Sequence, residues 1–202
     1  MRTVIALLAI AVLGGGRGSA QTPKDSALTK ALLERGRLDQ AIRDTLVTRM
    51  QAGASFDSSL TARMAAIDSA NTMWLKAVVE QRGWPGRSMV GTEASEAAFL
   101  IVQHAVQDSA FQARALALME KGVATGEVAG GQVAMLADRV AVHRGQPQRY
   151  GTQAKLQNGR IVMEPIADSA HVDERRAALG LPPLREYARM LDSMYTPQPK
   201  PH

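Results

Sequence analysis

Phe99-Leu100-Ile101-Val102, followed at once by Gln103-His104, is the run from which the rest of the chain can be placed. With Thr92-Glu93-Ala94-Ser95-Glu96-Ala97-Ala98 before it, the run predicts a helix from a Thr92 N-cap to about Val106. Successive residues turn about 100° around a helix, so four apolar residues in a row cover every side of it. This helix is expected to run through the middle of the domain. Its neighbours must then be amphipathic. Asp25 to about Met50 carries Leu28, Leu32, Ile42 and Leu46 on one stripe, with Asp25 or Ser26 as cap. Asp57 to Arg82 repeats the pattern with Leu60, Met64, Ile67, Trp74 and Val78, and Gly83 with Pro85 ends it. Asp108 to about Gly122 puts Phe111, Ala115 and Leu118 on one face. Gln132 to His143 has Val133, Leu136 and Val140 on one side and Met135 and Val142 on another, so it too is expected to be widely buried.

The period changes after that. Asn158-Gly159 is a two-residue hairpin signal, and pairing around it sets Leu156 opposite Ile161 and Ala154 opposite Met163. Two short helices follow, Val172 to Leu179, closed by Gly180, and Pro183 to Met194, with Leu184, Tyr187, Leu191 and Met194 inward. The expected fold is mainly α, an irregular multi-helix bundle with one small β-hairpin insertion.

Composition agrees with one folded unit. Of 202 residues 46% are hydrophobic and 21% charged, which is globular usage and excludes a disordered or fibrous chain. There is no Cys, so disulfides, thiolate metal sites, iron–sulfur clusters and a cysteine nucleophile are all excluded. Residues 1–20 read as a signal peptide: Arg2, an apolar run from Val4 to Leu13 too short for a lasting anchor, and Gly18-Ser19-Ala20 before Gln21. The expected protein is therefore exported, periplasmic or secreted, with no stable membrane anchor after cleavage. Residues 21–195 form the expected single helical domain, and 196–202, where Pro recurs, an extended disordered tail. The sequence pI is about 9.9, but the formal net charge is only +5 and cleavage removes Arg2 and Arg17 from it. Basic residues are dispersed and no aromatic lies within a basic run, so a nucleic-acid partner is not expected.

The informative residues are polar side chains on apolar stripes. Asp39 falls between Leu32 and Ile42, with Arg35 and Arg43 four positions to either side. Asn71 lies in the middle of the second helix's stripe, and Asp68 sits at its edge. Gln103 and His104 directly follow the central apolar run, and Asp138 and Arg139 occupy a helix with little solvent face. Buried charges must be paired, so a shared cluster of Asp39, Asp68, Asn71, His104, Asp138 and Arg139 satisfies them with the fewest orphan groups. Such a cluster is either a structural ion-pair network or a pocket between helices.

A second candidate is the loop after the fifth helix. Gln146 to Gln153 sets the conformational controls Pro147 and Gly151 among Gln148, Arg149, Tyr150, Thr152 and Gln153, chemistry suited to a binding loop or to a turn that aligns the hairpin. Trp84, in Gly83-Trp84-Pro85-Gly86, either covers the bundle end or walls a pocket. No nucleophile elbow, phosphate loop or His-Glu-x-x-His motif occurs. His143 lies about 140° around its helix from Asp138, so that pair cannot chelate one ion. Neither a metal nor a cofactor is expected.

Asp39-Gln40 with Arg43, Asp68 and Asn71, Gly83-Trp84-Pro85, Val90-Gly91, Gln103-His104-Ala105, Asp108, Phe111-Gln112, Asp138-Arg139, Tyr150-Gly151-Thr152-Gln153, and Val172-Asp173 with Arg175-Arg176 together form an ordered pattern. In it the chain resembles an uncharacterised bacterial domain-of-unknown-function family over roughly residues 32–184. The resemblance implies a fold unit without an activity. The residues themselves support binding of a small-molecule or peptide ligand, polar or anionic, through Asp39, Arg43, Asp68, Asn71, Arg139, Gln148, Tyr150, Thr152 and Gln153. One alternative is a metal-independent hydrolase-like enzyme in which His104 is general base or acid and Asp68 or Asp138 orients it. The other is a structural envelope protein with a buried ion-pair network.

Overall fold

The computed structural model describes residues 24–55, 57–157 and 160–195. The expected signal peptide, the Pro-rich tail and the Asn158-Gly159 turn lie outside the described residues. The fold is mainly helical. Its elements are α1 (Ser26–Gln51), α2 (Ser58–Arg82), α3 (Arg87–Val90), α4 (Thr92–His104), α5 (Ser109–Val123), α6 (Gly130–His143), β1 (Ala154–Gln157), β2 (Arg160–Met163), α7 (Val172–Ala178) and α8 (Leu184–Tyr195). They fall into two compact units that meet in sequence at Ala129 and Gly130.

In the first unit α4 is the central element, packed against α1, α2, α3 and α5. Phe99, Ile101, Val102, Gln103 and His104 are all buried, as a helix apolar on every side requires. Gly91 rather than Thr92 is its N-cap, because one residue with φ 81° both closes α3 and opens α4. The helix ends at His104, two residues before the expected Val106, where Ala105 turns out of helical conformation. Asp25 and Asp57 cap α1 and α2 through their carboxylates, which accept from Leu28 N and from Ser59 N and Leu60 N.

The stripe expected on α2 at Met64, Ile67, Trp74 and Val78 is rotated by one residue. Leu60, Asn71, Leu75 and Val79 are the buried positions, and Trp74 and Val78 are half-buried. Both sets repeat at helical spacing, and Leu75 and Val79 are as apolar as their neighbours, so periodicity alone cannot separate them. At the crossing of α1 and α4 the chain has almost no side chain to spare. A Cβ built on Gly36 would lie 2.8 Å from Ala97 Cβ.

The second unit holds α6, the hairpin, α7 and α8. β1 and β2 pair antiparallel in the expected register, Ala154 with Met163 and Leu156 with Ile161. Tyr187 and Leu191 of α8 are buried, and Leu184 and Met194 are half-buried. Among the described residues no helix is long and apolar enough to cross a membrane.

Candidate functional site

Asp39 and Arg43 stand one turn apart on the buried face of α1, 0% and 5% exposed. Charges so deep need partners, and each is joined to more than one. Arg43 Nη1 donates to Asp39 Oδ1 at 2.8 Å, and Arg43 Nη2 forks onto both oxygens of Asp68 on α2 at 2.8 and 2.9 Å. Gln40 Nε2 donates to Asp39 Oδ2 at 2.7 Å. His104 Nδ1, from the end of α4, lies 2.9 and 3.0 Å from the two Asp39 oxygens.

An ionised carboxylate can only accept, so Nδ1 carries the hydrogen of this bond and Nε2 is the nitrogen at which the ring exchanges a proton. The carboxylate on His104 is therefore Asp39, in the orienting role that the sequence offers to Asp68 or Asp138. His104 stands in the last turn of α4. Burial pushes the Asp68 carboxyl up, Arg43 pulls it back and Asp39 adds to the rise.

Two further contacts shape this cluster. Gln112 on α5 donates its amide to Val102 O at 3.1 Å, which also accepts from Ala105 N, and to Gln103 O at 3.2 Å, both at the end of α4. It thereby holds the turn that carries His104. Gln112 is absent from the residues expected at the site, and the signal for it was its place in the Phe111-Gln112 motif. Beside the ion pairs, Arg35 Nη1 donates to Asn71 Oδ1 at 3.1 Å while its guanidinium lies 4.4 Å over the Trp74 ring. Asn71 is 4% exposed, and its Nδ2 has no acceptor among the described residues.

Asp39, Asp68 and His104 bring ligand atoms within 4.8 Å of one another, a spacing compatible with one cation. Arg43 bonds both carboxylates, however, and already supplies the positive charge that an ion would bring. A metal could use this trio only by displacing that guanidinium.

Asp138, in the second unit, is satisfied by the loop that follows α6. Its carboxylate accepts from Arg149 N at 2.7 Å, Tyr150 N at 3.0 Å, Thr152 N at 2.9 Å and Thr152 Oγ1 at 2.9 Å. Burial pushes this carboxyl up against the pull of those four donors. Gln148 donates to Gln153 O and Glu164 O and accepts from Gln153 N, tying the loop to the end of β2. Gln153 Nε2 reaches Met135 O on α6. Arg176, fully buried on α7, donates to Tyr150 O and Pro182 O, and Tyr187 OH donates to Thr152 O. Arg139 is buried on α6. Gln148, Thr152 and Gln153 thus spend hydrogen bonds on building the loop, while Arg149 is exposed and lies 5.4 Å over the half-buried Tyr150 ring.

A second Asp–His pair lies on the surface of this unit. Asp168, at φ 44°, holds His171 Nδ1 at 2.9 Å and receives Arg175 Nη1 at 3.3 Å. The hydrogen bond that its ring donates to Asp168 keeps the His171 imidazole above its ordinary value of 6.5. A raised histidine stabilises the fold below the unfolded value, and this contribution disappears as pH rises through the folded one. In an NMR titration His171 is expected to titrate above 6.5 and to fall back towards it in Asp168→Asn; an unmoved midpoint would refute the pairing.

Residues 26–200 match the profile of DUF6624, a family of unknown function. The chain belongs to DUF6624. No curated protein and no solved structure matches it. The match takes in both units of the described chain, so the Asp39–His104 cluster and the Asp138 loop both fall within the DUF6624 region.

Proposed function

We propose that this DUF6624 protein is an exported helical domain that binds a polar or anionic ligand where α1, α2 and α4 meet. The observation that carries this reading is the buried Asp39–His104 pair, clamped through Arg43 to Asp68. Apolar side chains of similar volume would hold three helices together as well or better, so a cluster of four polar groups points to a task other than stability. The groups around it favour an acceptor: the Asn71 Nδ2 donor, the Arg35 guanidinium and the imidazole of His104.

The same pair favours a second reading, metal-independent acid–base catalysis of a hydrolase-like kind. In it His104 Nε2 moves the proton and Asp39 keeps the ring in the required tautomer. His104→Gln separates both readings from a purely structural network, because the Gln amide can still donate to Asp39 while the titratable ring is lost. A thermal-shift screen of cell-envelope fragments, peptides and sugars is expected to find a ligand that stabilises the wild type. His104→Gln should melt within a few degrees of it and lose that response. Failure of His104→Gln to fold, with no stabilising ligand found, would establish the structural network instead. Mass spectrometry of the exported protein tests the compartment, with Gln21 expected as its first residue.

A further inference from the structure

The outward face of α2 is nearly bare of charge. Between positions 62 and 79 Arg63 is the one charged residue among those exposed; the others are alanines, Ser69 and Met73, which is 67% exposed. α1, packed beside it, exposes Lys30, Glu34, Arg37 and Asp44, as a helix facing water ordinarily does. The face of α2 also has a register. Arg63, Ala66, Ala70, Met73, Ala77 and Glu80 follow one another at alternating steps of 3 and 4 residues, the spacing with which one helix packs along another, and all six are exposed. Turned about a two-fold axis between positions 71 and 72, the series meets itself: Ala70 falls opposite Met73, Ala66 opposite Ala77 and Arg63 opposite Glu80. Arg63 has no ion-pair partner among the described residues, and among them Glu80 meets Arg114 alone, at 3.4 Å with both side chains about half exposed. Opposite charges at equal distances from an uncharged centre are what a self-complementary contact requires.

We propose that α2 pairs antiparallel with α2 of a second copy of this chain about that axis, forming a homodimer. Ala66, Ala70 and Ala77 let the two helices approach to about 8 Å, and Met73 of each copy covers Ala70 of the other. Arg63 of one copy meets Glu80 of the other at both ends. The contact is one helix per copy, about 37 Å long, which is at the small end of specific interfaces, so the dimer is reversible. Asn71 is buried on the opposite side of α2 and takes no part in it.

Sedimentation velocity of the purified protein over a concentration series is expected to show monomer and dimer in exchange, with Kd between about 1 µM and 1 mM. Arg63→Glu and Glu80→Arg should each weaken the dimer at least about tenfold, and the two together should restore it, because the pair is rebuilt with its signs reversed. Ala70→Glu should give a monomer with unchanged circular dichroism. The chain has no Cys, so introduced thiols are its only ones. In a mixture, Ala70→Cys and Met73→Cys proteins should oxidise to the mixed disulfide faster than either cross-links to itself. A monomer up to about 1 mM overturns the proposal and leaves this face to a different protein. So does a dimer that survives Ala70→Glu, a double charge variant no tighter than the single ones, or a preference for 70–70 and 73–73 cross-links, which marks a parallel register. His104→Gln should dimerise as the wild type does, which keeps the test separate from the function proposed for the Asp39–His104 pair.

Discussion

Asp39→Ala should lower the stability of the protein by about 3–5 kcal/mol, read as a large drop in the urea midpoint. The variant removes a carboxylate that is 0% exposed and leaves Arg43, Gln40 and His104 without their common acceptor. The loss comes mostly from the stranded partners. Arg43→Ala should therefore be of similar size, because it strands Asp39 and Asp68 together. The double variant should cost much less than the two single losses added, since each change removes the partner that the other would leave unpaired. Additive losses would mean that the two side chains do not act as a unit. Asp39→Asn keeps the shape and one accepting oxygen and should fall between wild type and Asp39→Ala.

The second large effect belongs to Asp138. Asp138→Ala withdraws the acceptor of three backbone N–H groups and one hydroxyl, and a loss of about 3 kcal/mol or more is expected. The consequence should be local as well as global. Arg149 lies in the segment that this carboxylate ties down, so limited trypsin digestion under native conditions should cut after Arg149 far faster in the variant than in the wild type. An unchanged cutting rate would show that Gln148, Arg176 and Tyr187 hold the loop without Asp138. Asp138→Asn, with one oxygen still able to accept, should be the milder change.

What the sequence made legible follows from how far each signal reaches. The cap at Asp25, the helix starts at Asp57 and Asp108, the hairpin register and the central place of α4 are local or periodic features, and all were readable. The Asp39–Arg43 pair is also local, one turn on one helix. His104 joining Asp39 is a different matter, since it depends on how α1 and α4 are rotated about their axes. No spacing within either helix encodes that rotation. The offset on α2 arises in the same way: two neighbouring stripes were both apolar enough, and contact with α1 and α4 selected the one through Asn71, Leu75 and Val79. Asp138 and the loop from Gln148 to Gln153 were each singled out, but the need of one was the answer to the other. A buried carboxylate followed about ten residues later by a Gly-containing polar turn reads as two features until the backbone N–H groups are seen to converge.

The closeness of α1 and α4 rests on Gly36 and Ala97, and this sets a tolerance for the chemistry of His104. Gly36 is one turn from Asp39 and Ala97 two turns from His104, on the same facing surfaces. Glycine inside a helix sacrifices about 0.5–1 kcal/mol relative to alanine, a sacrifice here exchanged for clearance. The gap between carboxylate and imidazole is thus gauged by a residue that has no side chain. Widening it by one methyl group at position 36 would loosen a charge-assisted hydrogen bond, whose strength falls as it lengthens, and so free the ring from the orientation that Asp39 imposes. Within this fold, volume at a steric spacer can adjust how firmly a polar pair is held without any charge being added, removed or moved along the sequence.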